Sequence, residues 1–390
     1  MQSIESPRSP RQSNFELMRI LAMLMIVSHH LCVHGVQHVL DLESAYQAWN
    51  SGSLANKLVA SFFFPGGGVG VALFFMLTGY FLFGKQRTSI LKVSLETIFY
   101  GIALSVLFVA LVFCHHFFGL GYDFPSLTAV KKISILLRFI FVPVSCGGWW
   151  FVTAYILLVL CAPLINAFLA KLNKSGFLLL LVLTWFFWYS CQIVLGGAYS
   201  SLGKAFFFYL FGSYYRLCPV ENRHKALCTV IAIAAWTSLW LLAFFSDKID
   251  LQKVSVVQAV ITVIVNAIKN CVLLPLCAWC IFSLFARLNV RSNRFINTVA
   301  ATTFGVYLIH DSSVGRDWIW NSVLKVSDVQ FFSPYFPLIA VADIFGVFIA
   351  CSVIDYLRLR FIEPKLMHYA KNLTNRFSQK YMQIQAHLIR

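Results

Sequence analysis

The sequence predicts an all-α protein: a polytopic membrane helix bundle of about ten transmembrane helices. Hydrophobic residues make up 59% of the chain and charged residues 12%, whereas a soluble domain is about a quarter charged. The mean hydropathy is +0.76. Apolar runs of about 20 residues without two-residue alternation favour helices over a barrel. This composition excludes an ordinary soluble domain.

The hydropathy pattern places ten candidate spans along the chain. They lie at residues 15–34, 61–83, 92–118, 149–169, 176–195, 203–216, 226–245, 256–285, 298–314 and 334–357. Because the sixth is short and the ninth carries His310 and Asp311, nine or eleven spans remain open. Pro65 and the three glycines after it predict a re-entrant or loop entry, with the second helix proper beginning near Val69.

The basic residues predict the orientation of the bundle. With the N-terminus in the cytoplasm, 21 of the 31 Lys and Arg residues fall in cytoplasmic segments. Both termini are therefore predicted to be cytoplasmic. The net charge of +16 is then mainly a topology signal, although it also attracts anionic lipid head groups and phosphorylated ligands. No RNA- or DNA-binding motif accompanies it, so nucleic acid is not an expected partner.

Three regions follow from this pattern. Residues 1–13 are predicted to form a disordered cytoplasmic lead, residues 14–366 the transmembrane domain, and residues 367–390 a basic cytoplasmic tail. The sequence has no repeat of 20 to 50 residues. Matching halves are more typical of inverted-repeat transporters.

Two polar residues in the first span are candidates for function. Arg19 and His30 are eleven positions apart, which places them within about 20° of the same helix face and roughly 16 Å apart along the axis. Charged and titratable residues are costly inside a membrane, and an imidazole suits proton abstraction from a hydroxyl. Arg19 could instead be a charge that orients the helix and reaches the head groups. His29 and His34 are interpreted as interfacial residues whose ring nitrogens hydrogen-bond to water.

Four segments carry motifs typical of one family. They are Arg19 to His30, Pro65 to Lys85 (PGGGVGVALFFMLTGYFLFGK), Gly147 to Asn166 (GGWWFVTAYILLVLCAPLIN) and Phe304 to Ser313 (FGVYLIHDSS). In this order, on a ten-span frame, they resemble the integral-membrane acyltransferase type 3 proteins of bacteria. The resemblance extends over nearly the whole chain.

The resemblance implies an O-acyltransferase in the bacterial cytoplasmic membrane. It implies transfer of an acetyl group from cytoplasmic acetyl-coenzyme A to a hydroxyl of a cell-envelope saccharide, which is a capsular, exopolysaccharide or lipid-linked repeat unit. His30 would act as general base, or as a nucleophile through an acetyl-imidazole, and Arg19 would contact the donor phosphates. No metal is predicted, and the oligomeric state stays open. One alternative is a transporter or flippase for a lipid-linked or polysaccharide substrate. Another is an acyltransferase of this family whose acceptor is a small hydrophobic molecule or a peptide.

One departure from the family concerns the segment after the second span. Family members often carry two arginines separated by two residues there, whereas this chain has Lys85, Arg87 and Lys92. The resemblance assigns acyl-donor binding to Arg87 and Lys85, although the segment could equally be a positive-inside loop. Lys92 also has the spacing of a helix pair with Glu96.

The remaining site candidates lie at the predicted outer side. Trp149 is either an interfacial anchor or a stacking surface for a sugar. Tyr307 strengthens the family resemblance. His310 and Asp311 could contact the acceptor, orient His30, or form a satisfied interfacial pair.

Overall fold

The computed structural model describes residues 11–37, 49, 51–86, 88–118, 128, 133, 149–191, 200–246 and 256–372. Across these ranges every regular element is helical, which confirms the predicted all-α class. The longer helices are α1 (Ser13–His30), α2 (Leu54–Phe63), α3 (Gly66–Leu82), α4 (Leu91–Phe118), α5 (Trp150–Leu169), α6 (Lys174–Leu183), α7 (Ser200–Leu217), α8 (Lys225–Ser246), α9 (Val256–Ala267), α10 (Leu274–Ala286), α11 (Arg294–His310) and α12 (Phe336–Leu357).

Several of these helices continue through wider π-helical turns. Leu31–Val36 extends α1, Thr184–Ser190 extends α6, Ile268–Leu273 joins α9 to α10, and Arg358–Ile362 extends α12. A further wide turn, Arg316–Val323, follows α11. Two of the five adjoin the ends of α1 and α11, where sequence analysis places His30 and Asp311.

The helices account for the predicted membrane spans. Within the described ranges, seven helical stretches are long and apolar enough to cross a bilayer: Ser13–Val36, Leu54–Leu82, Leu91–His115, Trp150–Leu169, Asn222–Phe245, Val260–Ala286 and Phe336–Asn372. The other three predicted spans are also helical, as α6 with its extension, α7 and α11. The chain is therefore a multi-pass membrane protein in which about ten spans are accommodated.

The entry to the second span differs from the prediction. The residues before Pro65 form α2 rather than a loop, and α3 begins at Gly66, ahead of the predicted start near Val69. The glycines permit close packing rather than a re-entrant segment, because a side chain at Gly67 would collide with the ring of His29. The Gly-rich run therefore brings α3 against the end of α1.

The centre of the bundle is built on α3. This helix packs against α1 on one side and α7 on the other, while α11 packs against both α1 and α12. Met18, Phe75 and Phe208 on these helices are fully buried, as is Phe282 on α10. Since α1 and α11 contact each other directly, the residues at their ends lie close together.

A buried ion-pair cluster joins α4 to α12. The Arg358 side chain is 3% exposed and lies 2.9 Å from Glu96, 2.6 Å from Asp355 and 2.9 Å from Glu363. Lys92 pairs with Glu363 at 2.8 Å. The spacing of Lys92 and Glu96 predicts a pair within one helix, and this prediction is wrong. Both residues pair with the end of the last span because that segment folds back against the start of α4.

Candidate functional site

Histidines from α1 meet the end of α11. His30 is the last residue of α1, and His34 follows on the π-helical turn. Asp311 is the C-cap of α11, immediately after His310. Asp311 and His310 are both fully buried, whereas the side chains of His30 and His34 are 13% and 21% exposed to solvent.

With His310 and His30 both neutral, the hydrogen-bond geometry assigns the His30 proton to one ring nitrogen. The Val306 carbonyl, which can only accept, lies 2.5 Å from Nδ1 of His310, so this nitrogen is the donor. Nε2 of neutral His310 is then the acceptor, and it lies 2.9 Å from Nδ1 of His30. His30 therefore donates through Nδ1. Its Nε2 keeps the lone pair, which is the form a general base requires.

A buried carboxylate faces this basic nitrogen. Oδ1 of Asp311 lies 3.5 Å from Nε2 of His30 and 3.5 Å from Nε2 of His34. The same oxygen accepts a hydrogen bond from Nε of Arg316 at 2.8 Å, and Nη2 of Arg316 lies within ion-pair distance of it, also at 2.8 Å. Arg316 compensates the negative charge while His30 is neutral. An imidazolium formed at His30 would lie beside the carboxylate, which stabilises it.

The two histidines at the end of α1 differ in their surroundings. Nδ1 of His29 lies 2.6 Å from the Phe64 carbonyl, so His29 donates to the segment between α2 and α3. His30 instead faces α11. This difference follows from the 100° step between successive helical residues. His29 therefore packs against the Phe64 segment, whereas His30 lies beside Asp311.

A cavity of about 400 Å³ leads toward this cluster. We call it the inner cavity. Its lining follows α1 from Arg19 to Ile26 and α11 from Ala300 to Tyr307. It therefore ends about one helical turn before His30 on α1 and before Asp311 on α11.

The walls of the inner cavity are mainly apolar. Phe74, Phe81 and Phe151 contribute to them, and Arg11, Arg19 and Lys92 lie toward its opposite end. Arg19 pairs with Glu16 at 2.7 Å and lies 5.6 Å from the ring centre of Phe81. Glu96 also lines the cavity, which runs from an end with three cationic side chains to an end near Tyr307. The ring centres of Tyr307 and His310 are 6.4 Å apart.

The structure brings together some of the residues singled out in the sequence and separates others. His30, Tyr307, His310 and Asp311 converge, and Arg19 lines the cavity that approaches them. The Lys85 side chain is exposed and lies outside the lining of the inner cavity, whereas its carbonyl accepts from Asn166 at 2.9 Å. Arg87 lies outside the described residues. These two donor-binding assignments remain predictions.

Trp149 differs from the expectation of a head-group anchor. Its side chain is 1% exposed at the start of α5, so it packs in the core. Trp150, the next residue, is partly buried, with Nζ of Lys204 5.7 Å from the centre of its ring. A role of Trp149 toward a saccharide therefore stays a prediction.

Two members of the cluster, His34 and Arg316, were not predicted from the sequence as site residues. His34 was interpreted as an interfacial residue that hydrogen-bonds to water, and Arg316 was not singled out. The four-residue spacing of His30 and His34 places both on one face and could have indicated His34. Arg316 reaches Asp311 because the chain turns back after α11, and sequence periodicity carries no signal for that turn.

His30, His34 and Asp311 also have the composition of a metal-binding group. Their ligand atoms all lie within 4.8 Å of one another. However, Oδ1 of Asp311 already accepts a hydrogen bond from Nε of Arg316 and pairs with its Nη2, and a guanidinium beside a ligand oxygen opposes a cation. The Arg316 guanidinium therefore makes these three residues less favourable for a metal ion than their composition alone suggests.

The fold and the site define a class of protein: a multi-pass membrane protein with an imidazole–carboxylate cluster about one helical turn beyond a mainly apolar cavity. Residues 12–355 match the family model described as "Acyltransferase domain", that of the acyltransferase type 3 proteins. The chain therefore belongs to this family and is a membrane acyltransferase. No curated protein and no solved structure matches the chain.

Proposed function

We propose that the protein transfers an acetyl group from acetyl-coenzyme A to a hydroxyl of a cell-envelope saccharide, with His30 as general base. The observation that carries the proposal is the hydrogen-bond chain from Val306 through His310, which leaves the lone pair on Nε2 of His30. Asp311 would stabilise the imidazolium that forms when this nitrogen takes a proton.

The inner cavity supports delivery of the acyl donor from the basic end. A coenzyme A thioester has a polyanionic head and a long, narrow arm. Arg11, Arg19 and Lys92 match the charge of the head, and the aromatic walls match the arm. These basic residues belong to segments that the positive-inside rule assigns to the cytoplasm, where acetyl-coenzyme A is made.

The opposite side of the cluster supports entry of the acceptor. The side chains of His34 and Arg316 are 21% and 32% exposed, although Asp311 between them is buried. A hydroxyl that reaches His30 from this side would meet the thioester carbonyl arriving from the inner cavity. In the predicted orientation this side faces outward, toward the cell envelope.

The proposed step is a direct acyl transfer. Nε2 of His30 takes the hydroxyl proton while the hydroxyl oxygen bonds to the thioester carbonyl carbon. The carbon–sulfur bond then breaks, and the departing sulfur takes the proton from the imidazolium. The products are an O-acetyl ester and a free thiol, and His30 returns to its neutral form. In the alternative, Nε2 of His30 attacks the carbonyl carbon, the carbon–sulfur bond breaks to release the thiolate, and an acetyl-imidazole forms. The acceptor hydroxyl then takes the acetyl group from the imidazole, and its proton passes to the thiolate.

The test compares two adjacent histidines in membranes supplied with labelled acetyl-coenzyme A and the host polysaccharide. His30→Ala is expected to abolish transfer, whereas His29→Ala retains it, because His29 donates to the Phe64 carbonyl and lies on another face. Equal amounts of folded protein in the membrane are the control. Full activity of His30→Ala would contradict the mechanism.

The same membranes distinguish the enzyme from a transporter or flippase. An enzyme transfers label to the saccharide. A transporter would transfer none, and export of the polysaccharide would depend on the protein. Comparing the masses of envelope glycans with and without the protein identifies the acceptor, since each acetyl group adds a fixed mass. Trapping label on His30 after an acid quench would favour the acetyl-imidazole.

A further inference from the structure

A second cavity adjoins the basic end of the inner cavity. It has a volume of about 560 Å³ and is lined by Arg11, Lys92, Arg294 and Arg360, together with Ser292, Asn297, Thr298, Ala301, Tyr356 and Leu359. We call it the basic cavity. Its lining contains four cationic side chains and no carboxylate. Arg11, Lys92 and Ala301 line both cavities, so the two spaces meet.

The cationic side chains of the basic cavity differ in whether a carboxylate or carbonyl oxygen lies close enough to pair with them. Lys92 pairs with Glu363 at 2.8 Å, and Nη1 of Arg11 donates to the Asn297 carbonyl at 3.0 Å. Among the described residues, no carboxylate lies within ion-pair distance of Arg294 or Arg360, and both side chains are exposed. Their charges are therefore available to a ligand.

Hydrogen-bonding groups surround these charges. Arg294 begins α11, and the positive end of the helix dipole favours an anion there, although the Asn293 side chain already accepts from the Ile296 N–H. Asn297 and Thr298 line the cavity one turn further along the helix. An arginine guanidinium can donate two parallel hydrogen bonds to the oxygens of one phosphate. Two arginines without carboxylate partners at the mouth of a cavity therefore suit a phosphate group.

We propose that Arg294 and Arg360, with Arg11, bind the phosphate groups of a nucleotide thioester whose arm occupies the inner cavity. This proposal rests on the proposed function and assigns its donor phosphates to residues that the sequence did not single out. Lys85, the family-based candidate that the structure describes, lines neither cavity. A phosphate could also come from an anionic lipid head group, because the same chemistry recognises both.

Binding to the purified protein in phosphatidylcholine nanodiscs tests the proposal. The probes are coenzyme A, its 3′-dephospho form, and pantetheine, which lacks the nucleotide. The variants are Arg294→Gln, Arg360→Gln and the double variant. Arg291→Gln is the matched control, since Arg291 is an exposed arginine of the same segment and lines neither cavity.

The double variant is expected to weaken coenzyme A binding about tenfold or more, because charge-assisted hydrogen bonds are among the stronger polar contacts. Pantetheine binding should stay unchanged in every variant, and Arg291→Gln should match the unsubstituted protein. Added salt should weaken coenzyme A binding more in the unsubstituted protein than in the double variant.

Coenzyme A binding that is unaffected by the double substitution would overturn the proposal. If the same variant also loses affinity for phosphatidylglycerol vesicles, the basic cavity is assigned to lipid instead.

Either result leaves the proposed function standing if label transfer still depends on His30. Conversely, arginine-dependent coenzyme A binding without any transfer to a saccharide would support the phosphate site and contradict the proposed acceptor. The two proposals therefore fail separately.

Discussion

Replacing His310 by alanine is expected to slow acyl transfer by about ten- to a hundredfold. His310 is fully buried, and its Nε2 accepts the hydrogen bond from Nδ1 of His30 at 2.9 Å. Without this acceptor, the His30 donor is left unsatisfied, at a cost of about 1–3 kcal/mol. His30 can avoid that cost by moving its proton to Nε2, but this nitrogen then cannot act as a base. Each 1.36 kcal/mol corresponds to about tenfold in rate.

His310→Gln is the matched variant for this prediction. A glutamine carbonyl can accept from His30, so His310→Gln should recover part of the activity that His310→Ala loses. The assay is kcat/KM for labelled acetyl-coenzyme A in membranes, with thermal denaturation of the purified variants as a control for folding. Because the substitution acts on the base and not on the donor cavity, kcat should fall more than KM rises.

Two results would refute this reasoning. If His310→Ala transfers acetyl groups as fast as the unsubstituted protein, then His310 does not determine the proton position on His30. If His310→Gln loses as much activity as His310→Ala while both remain folded, His310 acts through something other than its acceptor nitrogen.

Three further predictions concern other charged residues. Arg19→Ala should raise KM for acetyl-coenzyme A about tenfold with kcat nearly unchanged, as loss of one charge-assisted contact predicts; steady-state kinetics in membranes measure both. Asp311→Asn should lower kcat by at least about tenfold, because the imidazolium loses its counter-charge, and unchanged kcat would contradict this role. Arg358→Ala should destabilise the protein by about 3–5 kcal/mol by leaving buried carboxylates unpaired. Thermal denaturation measures this loss, and Arg223→Ala is the control because the Arg223 side chain is 74% exposed.

The helices and their approximate limits were largely predictable from the sequence. Apolar runs of membrane length leave little alternative to helix, because lipid cannot satisfy backbone polar groups. The entry to the second span was mispredicted for a local reason. Proline and glycine predict a break in an isolated helix. In the folded protein, the glycines at the start of α3 instead allow that helix to pack closely against α1.

The candidate site was predictable only in part. Arg19 and His30 were found because they share one helix, and helical geometry relates residues of one helix directly. His310 and Asp311 were singled out, but their contact with His30 spans 280 positions of sequence. The pairing of Lys92 with Glu363 rather than Glu96 shows the same limit, since no local pattern reports which distant segment folds back.

The sequence by itself determined a helical membrane protein and marked one face of the first helix with a cation and an imidazole. It did so because hydropathy and helical period act over short distances along the chain. Only the tertiary structure decided which nitrogen of that imidazole is basic, which carboxylate faces it, and which arginines surround the basic cavity. Those features depend on contacts between α1, α11 and α12, and such contacts are set by packing of the whole bundle.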